Sequence, residues 1–198
     1  MKSMWDQRYS ENEWVYGRNP NSFFKACIDE LSPGKILLPA EGEGRNALYA
    51  AKKGWQVKAV DFSEAGRQKA LRRASEENLH LNYELADLAN WHSKEKFDCI
   101  GLIYSHLPPE YRERLHRDFS ALLEPGGTIL LECFNKNQLN FSSGGPQNIE
   151  WLYSKAMLEQ DFEGLHFELL EEVITELDES AFHSGKAALI RMIARNPG

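Results

Sequence analysis

Glu41-Gly42-Glu43-Gly44-Arg45-Asn46 follows the short apolar run Ile36-Leu37-Leu38 and opens a helical pattern from Arg45 to Lys53. A second strand pattern, Gln56 to Val60, ends in Asp61. Strand, glycine turn, helix, strand and terminal acid form the nucleotide-binding half of an α/β fold. Gly42 and Gly44 permit a sharp turn and a close backbone approach to a ligand that a side chain would push away. Asp61 stands where a carboxylate accepts hydrogen bonds from both ribose hydroxyls. A glycine pattern alone is weak, but this ordered context points to an adenosine-containing ligand.

Working outward, Asn21 to Leu31 shows helical periodicity through Phe23, Phe24, Cys27, Ile28 and Leu31, and Ser32-Pro33-Gly34 stops it. After Asp61, Ser63 can cap a helix that runs to about Asn78. Leu79 to Leu85 reads as a third strand ending near Asp87, and the almost wholly apolar Phe97 to Tyr104 as a buried fourth. Pro108-Pro109 starts a further helix, since a first-turn proline forfeits no hydrogen bond. Pro125-Gly126-Gly127 breaks the chain before a fifth strand, Thr128 to Phe134. The polar stretch from Asn135 to Asn148 reads as a long functional loop, and Ser154 to Asp161 as a helix.

Phe167 to Leu177 and Lys186 to Ala194 read as strands separated only by Asp178 to Gly185. That gap is too short for a helical crossover, so the pair must form an antiparallel hairpin. A nicotinamide-binding Rossmann domain continues with parallel strands instead.

The chain has 198 residues, 42% hydrophobic and 27% charged, which suits one soluble domain. A net charge of −7 gives no general attraction for nucleic acid or an anionic membrane. The basic clusters Arg67-Gln68-Lys69 with Arg72-Arg73, and Arg112 with Arg114 and Arg117, are mixed with acids and read as solvated helix faces. The start, Met1-Lys2-Ser3-Met4-Trp5-Asp6, lacks a signal-peptide core, so a cytoplasmic protein is expected. Cys27, Cys99 and Cys133 have neither disulfide nor zinc spacing, and no metal site is expected.

Several motifs together carry a family resemblance. They are Trp5-Asp6-Gln7-Arg8-Tyr9, Tyr16-Gly17 with Pro20-Asn21, Gly42-Glu43-Gly44-Arg45-Asn46, and Val60-Asp61-Phe62-Ser63. Ala86-Asp87-Leu88, Leu123-Glu124-Pro125-Gly126-Gly127 and the terminal hairpin complete the set. The chain resembles the class I S-adenosylmethionine-dependent methyltransferases, most of all the branch of tellurite-resistance and thiopurine enzymes. The resemblance implies a Rossmann-like α/β fold: a seven-stranded mixed sheet, an antiparallel C-terminal hairpin, and helices on both faces. One domain is expected, with an N-terminal helical cap over residues 1–31 and a cofactor-binding core over 35–134. A substrate-side loop over 135–148 and a C-terminal helix and hairpin over 149–198 complete it.

The resemblance also implies site roles. The turn Glu41, Gly42, Glu43, Gly44, with Asn46, lies against the methionine part of S-adenosylmethionine. Asp61 binds the ribose hydroxyls, with Phe62 beside it. Asp87 faces the adenine amino group, with Leu88 near the ring. Ile103, Tyr104 and Ser105 follow the methionine moiety towards the reaction centre, and Trp5 and Tyr16 fold over the cofactor. One departure stands out. The class ends its first strand in an acid followed by glycine, and those positions here are Leu38 and Ala40. Glu41, in the same turn, is the expected substitute for the acid that meets the cofactor's amino group.

Methyl transfer from a sulfonium is an in-line displacement that needs alignment and exclusion of water. Tyr16, Tyr104 and Trp5 are candidates to face the cation, although each also reads as a packing aromatic. His106, just after strand four, is the candidate base, with Tyr104 beside it; the competing reading is a histidine that bonds the turn before Pro108-Pro109. His183 reads as an exposed turn residue, and Arg45 as an anion contact or a partner for a nearby acid. The Asn/Asp-Pro-Pro-aromatic motif of amino-group methyltransferases is absent from Tyr104 to Leu107. That absence and the acidic charge point to a small acceptor with no nucleic-acid partner, and the resemblance implies a thiol, selenium or tellurium nucleophile, with S-adenosylhomocysteine as product. The chain is expected as a monomer or homodimer. The rivals are a protein or RNA methyltransferase and a catalytically silent cofactor-binding module.

Overall fold

The computed structural model describes residues 2–11 and 14–198; residues 1, 12 and 13 of the expected cap lie outside them. Helix α1, Lys2–Glu11, and helix α2, Ser22–Glu30, precede a repeating strand and helix pattern. That pattern is β1 (Lys35–Pro39), α3 (Arg45–Lys52), β2 (Gln56–Asp61), α4 (Glu64–Glu76), β3 (Asn82–Leu85) and β4 (Phe97–Ile103). It continues through α5 (Pro109–Ala121), β5 (Leu123–Phe134), α6 (Lys155–Asp161), β6 (His166–Ser180) and β7 (His183–Arg195). The strands form one seven-stranded sheet in the order β3-β2-β1-β4-β5-β7-β6. Strands β1 to β5 are parallel, and β7 runs antiparallel between β5 and β6.

Side chains alternate across the sheet, so both faces are covered. Leu37 and Ile100 join a core with Leu115 and Phe119 of α5 and Phe162 after α6. Ile36, Leu38 and Cys99 join the opposite core with Phe24 and Ile28 of α2, Leu48 of α3 and Ala70 of α4. Burying each such branched or aromatic side chain contributes about 1.5–3 kcal/mol. Asn21 caps α2 by accepting from the Phe24 N–H, and Ser63 caps α4 by accepting from the Gly66 N–H.

Several boundaries differ from the sequence reading. The third strand begins at Asn82 rather than Leu79. The fifth begins at Leu123 and runs through Pro125-Gly126-Gly127, because a pairing irregularity opposite Phe97 and Cys99 absorbs the extra residues. The hairpin strands are longer than expected, and only Ala181 and Phe182 separate them. The basic clusters are not uniformly solvated either. Arg73 is buried and donates to the Arg18 carbonyl and Glu77, while Arg112 pairs with Asp161, which is 1% exposed.

The strand order reverses direction between β1 and β4. In an open α/β sheet the crevice at that switch point, beyond the carboxyl ends of the strands, is where ligands bind. A cavity of about 550 Å³ occupies that position, within the range of ligand-sized pockets, about 300–1,000 Å³.

Candidate active site

The turn after β1 is built from three left-handed residues, Ala40 (φ 54°), Gly42 (φ 59°) and Gly44 (φ 82°). Both glycines are closely packed against neighbouring helices. A Cβ on Gly42 would lie 2.5 Å from the Tyr9 Oη of α1, and one on Gly44 would lie 2.5 Å from the Ala70 Cβ of α4. Neither glycine is among the residues that line the cavity. The other expected cofactor residues do line it: Trp5, Tyr16, Glu41, Glu43, Asn46, Asp61, Phe62, Asp87, Leu88, Ile103 and Tyr104.

Leu38, in the position where the class carries an acid, is fully buried in the α2-side core. Glu41 instead brings a carboxylate to the cavity. Its Oε1 accepts from the N–H groups of Asn46 and Ala47, at 2.9 and 2.7 Å. These are orphan donors of the first turn of α3, which has no side-chain cap of its own. Burial pushes Glu41 up to about 7 against these bonds and Arg45. Glu43 is engaged elsewhere, its oxygens holding the Val15 N–H (2.9 Å) and Lys69 Nζ (2.8 Å). It braces the N-terminal segment onto α4.

Asp61 Oδ2 accepts from the Gly42 N–H at 3.0 Å and Oδ1 from the Ser63 N–H at 2.8 Å. A carboxylate has about four acceptor positions, so it can still receive two hydroxyls. Burial raises its pKa, which fits a group that gains from additional donors. Asp87 is exposed at the rim, with its Oδ1 accepting from Ala89 N–H, and Leu88 is buried beside it. Asn46 Oδ1 is engaged by the Asn21 N–H.

The N-terminal segment closes one side. Trp5 stacks on Tyr9 with centroids 5.5 Å apart, Arg8 lies 4.8 Å over Trp5, and Arg8 Nη1 donates to Tyr16 Oη at 3.3 Å. Asp6 anchors the helix by accepting from Ser63 Oγ at 2.6 Å.

His106 lines the cavity, but its ring is committed to the fold. Nε2 accepts from the Phe134 N–H (3.2 Å), which leaves the Nδ1 proton to donate to the Trp151 carbonyl (2.8 Å). Burial lowers its pKa to about 4. This corrects the assignment of His106 as base: no lone pair is left for a substrate proton. Tyr104 is held at φ 51°, its ring stacked on Phe134 at 5.0 Å, and its buried hydroxyl has no partner among the described residues.

His183 is the residue that sequence reasoning misplaced. It is buried, not an exposed turn residue, and it lines the cavity between Tyr104 (4.4 Å between centroids) and Tyr16 (4.6 Å). Its Nδ1 lies 3.1 Å from Glu179 Oε2, and Arg45 Nη2 bonds the same oxygen at 2.9 Å. Of the two readings of Arg45, the acid partner therefore holds. Strand parity was the available signal. His183 shares its parity with the buried Ala187 and Leu189, and Glu179 with Leu177, once both strands extend to a two-residue turn.

The loop from 135 to 148 is tied by hydrogen bonds to β7. One 3₁₀ turn, Lys136–Asn140, lies within it and another, Ile149–Trp151, follows it. Asn135 donates to the Leu189 carbonyl, Gln138 accepts from the Ala188 N–H, and Ser143 Oγ donates to the Lys186 carbonyl. Gly145, Pro146 and Gln147 line the cavity.

Residues 36–127 match the model of a methyltransferase domain. A ubiquinone biosynthesis O-methyltransferase of Coxiella burnetii is 30% identical over 109 residues, covering 52% of this chain and 45% of that protein. The chain spans less than half the length of the curated relatives it matches. The structure of TehB from Haemophilus influenzae superposes with a TM-score of 0.73 at 20% identity, covering 89% of this chain and 62% of that one. The N-methyltransferase NodS from Bradyrhizobium japonicum, in complex with S-adenosyl-L-homocysteine, gives 0.70 at 14% identity, covering 100% and 98%. At these identities the structures speak for the fold, and the sequence match speaks for the domain. Residues 36–127 thus match a methyltransferase domain, and the chain as a whole shares the fold of S-adenosylmethionine-dependent methyltransferases of known structure.

Proposed function

We propose that this chain transfers a methyl group from S-adenosylmethionine to a small acceptor, a soft thiol, selenium or tellurium nucleophile. The observation that carries the reading is the row of acids along one cavity: Glu41 after β1, Asp61 at the end of β2 and Asp87 after β3. As carboxylates at successive strand ends they suit an ammonium, a ribose diol and an adenine amino group in turn. When bound, the cofactor supplies an electrophilic methyl group on a sulfonium, which leaves as a neutral thioether, S-adenosylhomocysteine.

The chain's own residues bind, align and keep water out. Glu41 holds the amino group, Asp61 accepts from the ribose, and Phe62 and Leu88 pack the ring. Tyr104, Tyr16 and Trp5 give the sulfonium region aromatic faces, which favour a cation. The wall from Gly145 to Gln147 with Trp151 and Phe134 is mostly apolar, which suits a small acceptor more than a charged macromolecule. We place the protein in the cytoplasm as a monomer or homodimer; no helix among the described residues is long and apolar enough to cross a membrane.

The test pairs calorimetry with S-adenosylmethionine and methyl-labelled turnover on thiols, selenite, tellurite and cell extract. Binding with transfer to a small product supports the reading. Transfer only to protein or RNA in the extract would replace the acceptor class, and tight binding without transfer would mark a silent module.

A further inference from the structure

The roles assigned above leave one cavity-lining group unused. His183 and Glu179 lie across the turn of the β6–β7 hairpin, and the imidazole faces Tyr104 and Tyr16. With the Nδ1 proton donated to Glu179, the lone pair is left on Nε2. No described protein donor bonds that atom. We propose that His183 is the proton acceptor for a neutral thiol substrate and that Glu179 is its positioning residue. The proposal rests on the methyltransferase reading and adds the acceptor's protonation state to it.

Three structural observations meet here. First, the pairing is a base with an orienting carboxylate, the arrangement that fixes an imidazole tautomer and stabilises the imidazolium once formed. Second, Glu179 is itself held in place: Asn21 Nδ2 donates to Oε1 at 3.1 Å and Arg45 Nη2 to Oε2 at 2.9 Å. The same Asn21 nitrogen donates to Glu132 Oε1 at 2.6 Å, which ties the pair to β5. Third, Tyr104 and His183 both line the cavity, with their rings 4.4 Å apart between centroids. A thiol lodged beside these rings meets the base. His106, the other cavity histidine, has both nitrogens bonded to the fold and cannot take this role.

The step balances. The acceptor sulfur forms a bond to the methyl carbon as the cofactor's carbon–sulfur bond breaks, and that electron pair stays on the departing sulfur. The acceptor's S–H proton passes to His183 Nε2, and the imidazolium is paired with Glu179 until it loses the proton to water. The groups around His183 set its titration: Glu179 on β6, Arg45 on α3, Tyr16 and through it Arg8, Tyr104 after β4, and Glu132 on β5. Burial lowers its pKa, Arg45 adds to that, and Glu179 opposes it, so the imidazole is neutral and ready to accept at pH 7.

The test compares wild type, His183→Gln and Glu179→Gln. Calorimetry measures cofactor affinity, and methyl transfer is followed from pH 6 to 10 on an alkyl thiol and on a selenol that is already ionised. His183→Gln should keep cofactor affinity within a few-fold and lose on the order of 100-fold in kcat/KM on the thiol at pH 7, the usual scale of general-base loss. The loss should shrink as the thiol ionises at higher pH, and the selenol should be methylated nearly normally. Nitrogen NMR of the cofactor-free protein gives a readout independent of turnover. It should show His183 as the Nδ1–H tautomer in the wild type, with that preference lost in Glu179→Gln. A His183→Gln enzyme that binds cofactor and methylates the thiol with an unchanged pH profile overturns the proposal, as does an Nε2–H tautomer. A wild-type protein that binds no cofactor overturns the underlying reading as well.

Discussion

Glu41 Oε1 accepts the Ala47 N–H at 2.7 Å, so this carboxylate of the cavity lining also caps the helix behind it. That double use separates Glu41 from Glu43, whose oxygens are taken by Val15 and Lys69. Glu41→Ala should weaken S-adenosylmethionine about 10- to 100-fold, the value of a charge-assisted hydrogen bond at about 1.5–3 kcal/mol. Glu43→Ala should lower the melting temperature and change affinity by a few-fold at most. Equal affinities in calorimetry would remove the role from Glu41.

Protonation gives Glu41 a second signature. Its ordinary value of 4.5 rises to about 7 in the fold, so between those values the folded chain holds a proton that the unfolded chain releases. The stability linked to Glu41 is full below 4.5 and is lost as pH rises through 7, at about 1.4 kcal/mol for each pH increment of one across that window. An ammonium beside it reverses the preference, so cofactor affinity should climb between pH 6 and 8 with proton release. Glu41→Gln should flatten both profiles in chemical denaturation and calorimetry.

Asp61 is the sharper test of the ribose assignment. Asp61→Asn keeps one acceptor for Gly42 or Ser63 but loses the charge that strengthens bonds from two hydroxyls. Affinity for S-adenosylmethionine should fall at least 10-fold, while adenine alone binds about as before. Unchanged cofactor affinity would refute the role.

Much of this site was legible in the sequence because local signals carried it. The apolar runs marked β1, β2 and β4, and Asp61 and Asp87 follow their strands at short range. What escaped notice depended on partners distant in sequence. Arg112 reads as a surface charge until α6 brings Asp161 to it, 49 residues away. His183 reads as a turn residue because neither Ala181 nor Phe182 signals a tight turn. Gly126 and Gly127 look like a break, yet Gly126 takes a left-handed conformation and bonds the Asn196 carbonyl, which lets β5 start early. The lone histidine at 106 was legible as a site residue; that both its nitrogens are used was not.

His106 should therefore behave as a structural pin. The folded value of about 4 lies below the ordinary 6.5, so stability linked to it is full above 6.5 and is lost as pH falls through 4. His106→Ala leaves the Phe134 N–H without its partner, a loss of about 1–3 kcal/mol, and should remove part of the acid sensitivity between those values. Denaturant titrations at pH 7.5 and 5 measure both. If the variant instead keeps its stability and loses only turnover, His106 acts in catalysis after all.

The Arg112, Asp161 and His116 group gives the strongest expected stability effect. Asp161 Oδ2 lies 2.7 Å from Arg112 Nε and 2.8 Å from His116 Nδ1, with His116 fully buried and stacked on Phe162 at 4.6 Å. Breaking a buried pair by removing one charge is costly because the partner stays behind, about 3–5 kcal/mol. Asp161→Asn should approach that loss in denaturant unfolding, while S-adenosylmethionine affinity, measured on the folded fraction, stays within a few-fold because the group lies outside the cavity. The pH dependence has a fixed sign. Although burial opposes it, the bonds from His116 and Arg112 lower the Asp161 pKa, and burial lowers that of His116. Each shift makes the unfolded chain the better proton acceptor in acid, so wild-type stability should fall from pH 6.5 downwards. Asp161→Asn should fall less steeply below pH 4, and an identical slope in both proteins would remove Asp161 from the account.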